Sequence, residues 1–100
     1  MKIALHVQPE AEFDIVEAYA HYEEQWPGLG AEFVLTLDAA LEHAVRFPQM
    51  NPVVQDEVRR SILRRFPYAA YYVTEPERLV VLAVLHMGQE PDKIARRLSR

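Results

Sequence analysis

Arginine and tyrosine are concentrated in one segment of this chain. Residues 59–73 read RRSILRRFPYAAYYV, with four arginines among the first seven residues and three tyrosines after them. A planar guanidinium group binds phosphate or carboxylate through paired hydrogen bonds, and tyrosine rings can stack on nucleic-acid bases. The segment therefore indicates a surface for an anionic partner, although burial in a core is the more ordinary role for the tyrosines.

His86, which ends the apolar run VLAVLH, is a weak candidate for a catalytic acid or base. Cleavage of RNA by its own 2′-hydroxyl needs a base, an acid and cations on the phosphate. The arginines supply cations, but no clear second proton-transfer group accompanies His86. A structural role for this histidine is therefore favoured over a catalytic one.

Metal and cofactor chemistry is not expected. Glu17 and His21 have the i, i+4 spacing of metal ligands, but no third ligand accompanies them, so a solvated acidic stripe is the better interpretation. The chain has no cysteine, which excludes disulfides and thiolate ligands and fits a cytoplasmic protein. Its longest apolar run, LVVLAVL, is far shorter than the roughly 20 residues that span a bilayer, so no membrane association is expected.

The charge of the chain is divided unevenly between its halves. Residues 1–50 hold two Lys+Arg and nine Asp+Glu, for −7, whereas residues 51–100 hold nine and six, for +3. The sum is the formal net charge of −4. This asymmetry predicts an acidic and a basic surface with different partners.

Two helices are predicted in the first half, after a short strand over residues 2–7. The apolar residues Ile15, Tyr19, Tyr22 and Trp26 recur at helical spacing and predict the buried face of a helix over residues 10–26. The opposite stripe would be exposed and acidic; it consists of Glu10, Asp14, Glu17, His21 and Glu24. The PGLG link at residues 27–30 leads to a second helix over residues 31–47, which must lie antiparallel to the first.

Three strands are predicted in the second half, over residues 58–66, 68–74 and 79–86, with a short helical tail beginning at Pro91. Residues 48–52 form a loop framed by two prolines. The order β-α-α-β-β-β predicts a single α+β domain over residues 1–100, with an antiparallel sheet and the helical hairpin packed on one face. The residues expected to be buried together between hairpin and sheet are Ile15, Tyr19, Phe33, Leu37, Leu82 and Val84.

The arginines are predicted to divide between the two faces of the first of these three strands. Val58, Ile62 and Phe66 share one face with Arg60 and Arg64, so this apolar face is assigned to the core beneath the helices, and its arginines to the sheet edge. Arg59 and Arg65 then lie on the open face, where a partner can reach them.

The β-α-α-β-β-β order and three segments resemble the ParE branch of the RelE/ParE toxin superfamily; the segments are YEEQWPGLGAEF, RRFPYAAYYV and VLAVLH. Members are small bacterial toxins and plasmid-stabilisation proteins that an antitoxin silences. The resemblance implies DNA gyrase as the target and a ParD-like antitoxin as the partner. The alternatives are a RelE-like endoribonuclease acting on mRNA at the ribosome, and a non-toxic homologue that only binds an antitoxin.

The resemblance also implies the residues of two binding surfaces. Members often end with His-x-Arg-Arg-Asp-Pro-x-x-Trp-x-x-Arg, of which His86, Pro91 and Arg97 match, while Gly88 and Gln89 replace arginines and Ile94 replaces tryptophan. The residues predicted to bind the target are Arg59, Arg65, His86, Arg96 and Arg97. Those predicted to bind a basic segment of the antitoxin are Glu10, Asp14, Glu17 and Trp26.

Overall fold

The computed structural model describes residues 3–99 and gives an α+β fold of five strands and three helices in this part of the chain. The elements, in chain order, are β1 (Ala4–Val7), α1 (Pro9–Gln25), α2 (Leu29–Arg46), β2 (Val53–Gln55), β3 (Val58–Ile62), β4 (Tyr68–Glu75), β5 (Arg78–His86) and α3 (Pro91–Leu98). The predicted class and the predicted order of helices and long strands are confirmed. Lys2, in the predicted first strand, lies outside the described residues.

The sheet has the strand order β1-β5-β4-β3-β2 and is antiparallel except at one edge. There β1 runs parallel to β5, with Ala4 opposite Arg78 and Val7 opposite Val81. An extra strand, β2, directly follows the predicted loop and pairs with β3 at the opposite edge. A bulge at Tyr71 and Tyr72 shifts the register of β4 against β5.

The buried face of α1 differs from the predicted one. It consists of Ala11, Asp14, Ala18 and Tyr22, while Tyr19 is 40% and Trp26 70% exposed. The small side chains of the two alanines bring the helix close to the sheet, and a buried carboxylate lies between them. The prediction that Asp14 belongs to an exposed stripe is therefore wrong.

The link between α1 and α2 confirms the predicted hairpin. Gly28 has a φ of 91°, which a residue with a side chain rarely adopts. A Cβ on Gly30 would lie 2.8 Å from the backbone oxygen of Tyr19, so only glycine permits this close approach of the helices. Glu23 accepts hydrogen bonds from the backbone N–H groups of both glycines at 3.0–3.1 Å, and thereby caps α2 from α1.

The side of the sheet beneath α1 and α2, here called the hairpin face, carries most of the core. Phe33, Leu37 and Val84 are buried there, as predicted, and Ile15 is partly buried against them. Tyr22, Phe33, Phe66 and Tyr68 form an aromatic cluster with ring centroids 4.8–5.8 Å apart. Edge-to-face contacts of this kind add to the stabilisation from burial.

The other side of the sheet, here called the tail face, is covered rather than open. Leu98 and the half-buried Ile94 of α3 pack against a second cluster that includes Val58, Tyr71 and Leu82. The prediction that Leu82 lies beneath the hairpin is wrong, because the bulge at Tyr71 and Tyr72 turns it to the tail face. Tyr71 and Tyr72 are at most 1% exposed, so they are core residues and cannot stack on bases.

Candidate partner-binding surfaces

The arginine-rich segment bends after Ile62, and the bend decides where its guanidinium groups lie. β3 ends at Ile62 instead of Phe66, and Arg65 has a φ of 69°, in the left-handed region that is uncommon for residues with a side chain. Alternation between faces therefore stops before Arg64. Val58 lies on the tail face, Ile62 is 53% exposed, and Phe66 lies on the hairpin face.

Arg59 lies on the side of the hairpin face, opposite to the prediction. Its Nη1 donates hydrogen bonds to the carbonyl oxygen of Asn51 at 2.6 Å and to that of Gln49 at 3.3 Å. The hydroxyl of Tyr72, its cross-strand neighbour, donates to the carbonyl oxygen of Pro48 at 2.8 Å and accepts from Nδ2 of Asn51. Arg59 thus anchors the loop before β2 through one terminal nitrogen of its guanidinium.

Arg60 points to the tail face, because it alternates with Arg59 and lies opposite Tyr71. Its Nε is buried without a hydrogen-bond partner among the described residues. The faces of these two arginines are therefore the reverse of those predicted: Arg59 lies on the side of the helices, and Arg60 on the side of α3.

Arg64 and Arg65 are both exposed at the bend. Arg65 donates to Oε1 of Glu32 at 2.8 Å, and its guanidinium carbon lies 5.5 Å from the centre of the Phe66 ring. Because both partners of this ion pair are about half exposed, it contributes little to stability and is readily exchanged for another anion. Arg64 has no carboxylate partner among residues 3–99.

A groove between α2 and β3 lies beside these two arginines. It has a volume of about 590 Å³ and apolar walls that include Leu35, Ala39 and Ile62, with Arg64 and Arg65 among its lining residues. Leu35 and Ile62 are 68% and 53% exposed. The groove can therefore accept an apolar side chain next to an anionic group.

His86 is held in the turn that follows β5. Its Nδ1 accepts a hydrogen bond from the backbone N–H of Gly88 at 2.8 Å, and its ring packs edge-on against Tyr68 with centroids 5.3 Å apart. A Cβ on Gly88 would lie 2.8–2.9 Å from the imidazole. The histidine ring thus occupies the space that a side chain at residue 88 would need.

Asp14 and Arg97 form an ion pair that connects α1, β5 and α3. The Asp14 carboxylate accepts two hydrogen bonds from the Arg97 guanidinium at 2.7 and 3.0 Å, and one from the backbone N–H of Val84 at 3.0 Å. The pairing of β1 with β5 ends at the hydrogen bond from the Gln8 N–H to the Val81 carbonyl oxygen. The Val84 N–H lies beyond this point and has no strand partner within residues 3–99, so Asp14 accepts its hydrogen bond instead.

Because Asp14 and Arg97 bind each other, both are poorer candidates for contacts with a target or an antitoxin. The hydrogen bond to Asp14 is the main cause that raises the pKa of Arg97, and burial opposes it. A guanidinium already held by a nearly buried carboxylate has little to offer a target. Arg96, on the same helix, is exposed and lies with Gln89 and Lys93 around a shallow concavity.

The other residues predicted to contact the antitoxin lie at the surface. Glu10 and Glu17 are exposed on α1 and have no ion pair among residues 3–99, and Trp26 is exposed at the end of the helix. Within the same residues, no group of three or more His, Asp or Glu side chains is placed to hold a metal ion. None of the helices described there is long and apolar enough to cross a membrane.

Comparisons with known proteins agree with this fold. The family model of the ParE toxin of the type II toxin-antitoxin system, parDE, matches residues 5–91. A solved structure of a chromosomal ParDE toxin–antitoxin system from P. aeruginosa superposes with a TM-score of 0.68 at 20% sequence identity, covering 85% of this chain and 96% of that chain. No curated protein is a significant match to the sequence.

Proposed function

This chain belongs to the ParE toxin family of type II toxin–antitoxin systems, and on that premise we propose that it inhibits DNA gyrase by binding and that a cognate ParD-like antitoxin neutralises it. Such a target implies action in the bacterial cytoplasm. The side chains support inhibition by binding better than they support cleavage of mRNA.

The hydrogen bond and the packing of His86 are the observation that favours binding over cleavage of mRNA. Its Nδ1 accepts the Gly88 N–H at 2.8 Å, which places the proton of the neutral ring on Nε2, so neither nitrogen can take a proton from a ribose hydroxyl. The ring is also fixed against Tyr68. This supports a structural role in the turn, and argues against a general base in the manner of a nuclease.

The exposed arginines at the bend are the proposed target contacts. Arg64 and Arg65 adjoin an apolar groove, and neither is committed to a buried partner. Arg96 on α3 is a further exposed cation, and His86 lies in the turn that leads to this helix. The hydrogen bonds of Arg59 and Arg97 make these two residues supports of the fold, so they leave the set of proposed target contacts.

Expression in bacteria without the antitoxin tests this function. Filamentation with DNA damage, together with inhibition of supercoiling by purified gyrase, is the expected result. A rapid arrest of translation with cleaved mRNA would instead identify a RelE-like nuclease. Normal growth with retained antitoxin binding would identify a non-toxic homologue.

Paired variants locate the target contacts. Arg64→Ala combined with Arg65→Asn removes both guanidinium groups, and asparagine tolerates the left-handed backbone at residue 65. The control is Arg78→Ala, which removes another exposed arginine from an ion pair, with Glu75, in the turn between β4 and β5. We expect the double variant alone to lose toxicity while its melting temperature stays close to that of the unaltered protein.

A further inference from the structure

The surface of α1 that faces away from the core carries an apolar stripe. Phe13 and Val16 are 64% and 63% exposed, and Ala20 is exposed one turn further along. Residues at i, i+3 and i+7 lie in one row on a helix, so these three side chains form a continuous strip, here called the outer stripe. It lies opposite the buried residues Ala11, Ala18 and Tyr22.

Carboxylates border the outer stripe, and α1 contains no cation to balance them. The helix has six acidic residues and neither lysine nor arginine. Asp14 is paired with Arg97, and Glu23 caps α2. The remaining four have no ion pair among residues 3–99; they are Glu10, Glu12, Glu17 and Glu24.

Three of these carboxylates flank the outer stripe. By helical spacing, Glu12 lies on one side of the outer stripe, and Glu17 and Glu24 lie on the other. Glu24 lies in the last turn, where the helix dipole disfavours negative charge. An exposed phenylalanine between unpaired carboxylates therefore calls for a partner that brings both apolar and cationic groups.

We propose that the outer stripe is a docking surface for a cationic amphipathic segment of the antitoxin. This assignment rests on the proposed function and deepens it. The apolar side chains of that segment cover Phe13 and Val16, while its lysines and arginines pair with Glu17 and Glu24 on one border and Glu12 on the other. Contacts of this kind give both affinity and a strong dependence on salt.

Charge selects this partner over the other possible occupants of the stripe. A second copy of this chain, packed by its own α1, would bring two rows of carboxylates together, and such like-charge contact is unfavourable. Nucleic acid and an anionic membrane would be repelled for the same reason. A basic, apolar protein segment matches the stripe on both counts.

Binding of the purified cognate antitoxin, measured by calorimetry at 50 and 300 mM NaCl, tests the assignment. Phe13→Ser with Val16→Ser removes the apolar strip, and Glu17→Lys with Glu24→Lys reverses one border. The matched control is Asp38→Lys with Glu42→Lys, which reverses two exposed carboxylates on α2. Because every altered side chain is exposed, the melting temperature of each variant should remain close to that of the unaltered chain.

We expect the apolar variant to lose at least about 100-fold in affinity, because two large side chains no longer become buried. The reversed border should lose about tenfold at 50 mM NaCl and less at 300 mM, where the Debye length is shorter. The α2 control should bind within about twofold of the unaltered chain at both salt concentrations.

The other outcomes overturn the assignment. Unchanged affinity of the apolar variant, or an equal loss in the α2 control, would show that the stripe is not the docking site. Concentration-dependent dimers of the unaltered chain that Phe13→Ser with Val16→Ser abolishes would make a second copy the occupant. Absence of antitoxin binding by the unaltered chain would instead remove the proposed function, and this assignment with it.

Discussion

Asp14 is a nearly buried carboxylate whose hydrogen-bond donors come from two different elements. Arg97 of α3 and the backbone N–H of Val84 in β5 both bind it, and α1 carries it. A buried charge is tolerated only where its partners replace the water that it lost. The ion pair therefore acts as a structural link between the hairpin and the C-terminal helix.

Replacing Asp14 should destabilise the protein substantially. Asp14→Ala leaves the Arg97 guanidinium, which is one-third exposed, without its partner and the Val84 N–H without an acceptor. We expect a loss of about 2–3 kcal/mol in the free energy of unfolding, and a fall of at least about 10 °C in melting temperature. Glu17→Ala, on the exposed side of the same helix, is the control. Equal effects of the two substitutions would contradict the structural role.

The four arginines of residues 59–65 should separate into a structural and a surface group. Arg59→Ala removes two hydrogen bonds from a charged donor to the loop before β2, and should cost about 1.5–3 kcal/mol in denaturant unfolding. Arg64→Ala removes an exposed side chain and should change stability by less than about 0.5 kcal/mol. A larger loss in Arg64→Ala than in Arg59→Ala would contradict this division.

Tyr22 and Tyr68 make the fold sensitive to alkali. Burial is the main cause that raises the pKa of both phenols above 10.0, because the charged form is disfavoured in the aromatic cluster. A pKa raised on folding gives stability that is fully present below the unfolded value and is lost as pH rises through the folded value. We therefore expect urea stability to be nearly constant from pH 7 to 9 and to fall above pH 10. Tyr22→Phe should reduce the slope; an unchanged slope would mean that another group titrates.

At the level of the elements, α3 completes the core of the tail face. Leu98 is only 2% exposed and packs in the cluster that contains Val58, Tyr71 and Leu82. Nη2 of Arg97 holds this helix on one side, and Nε2 of Gln55 donates to the carbonyl oxygen of Ala95 on the other. The C-terminal helix is thus an integral layer of the fold.

Truncating Leu98 tests that layer. Leu98→Ala should cost about 2–4 kcal/mol, because a cavity replaces a buried side chain over the sheet. Arg96→Ala is the matched control, since it shortens an exposed side chain on the same helix and should leave the melting temperature unchanged. A neutral Leu98→Ala would show that α3 leaves the sheet readily.

Local signals in the sequence predicted most elements, but not every face. The PGLG link and the apolar runs of residues 68–74 and 79–86 identify the hairpin and two strands, because turns and strands depend on neighbouring residues. The buried face of α1 was missed because Tyr19 and Trp26 are more apolar than Ala11 and Ala18. Close packing selects the small alanines, and this requirement is visible only once the sheet is in place.

The sides of the sheet on which the arginines lie could not be predicted from the sequence, for a related reason. Alternation assigns Arg64 and Arg65 only if the strand continues, whereas β3 ends at Ile62 and Arg65 has a left-handed φ. The burial of Asp14 depends on Arg97, which lies 83 residues away. A carboxylate that is paired over this distance looks like any surface acid in the sequence.

For the whole molecule, the strand order predicts an uneven distribution of local stability. β4 and β5 lie inside the sheet and are almost fully buried, whereas β2 has three residues at an edge. Amide hydrogens of β4 and β5 should exchange only through global unfolding, and those of β2 through local opening, at least about 100-fold faster. Native-state hydrogen exchange measures this directly; equal protection of β2 and β5 would contradict it.

The pairing of Asp14 with Arg97 also affects the protein while it is being synthesised. The ribosome adds Asp14 first and its cation, Arg97, 83 residues later. At roughly 5–20 residues per second, the ribosome takes about 4–17 s to add the intervening chain. During that interval the nascent hairpin cannot bury Asp14 without leaving its charge unpaired. The helical hairpin therefore reaches its final packing only after Arg97 has been synthesised and has folded back onto it.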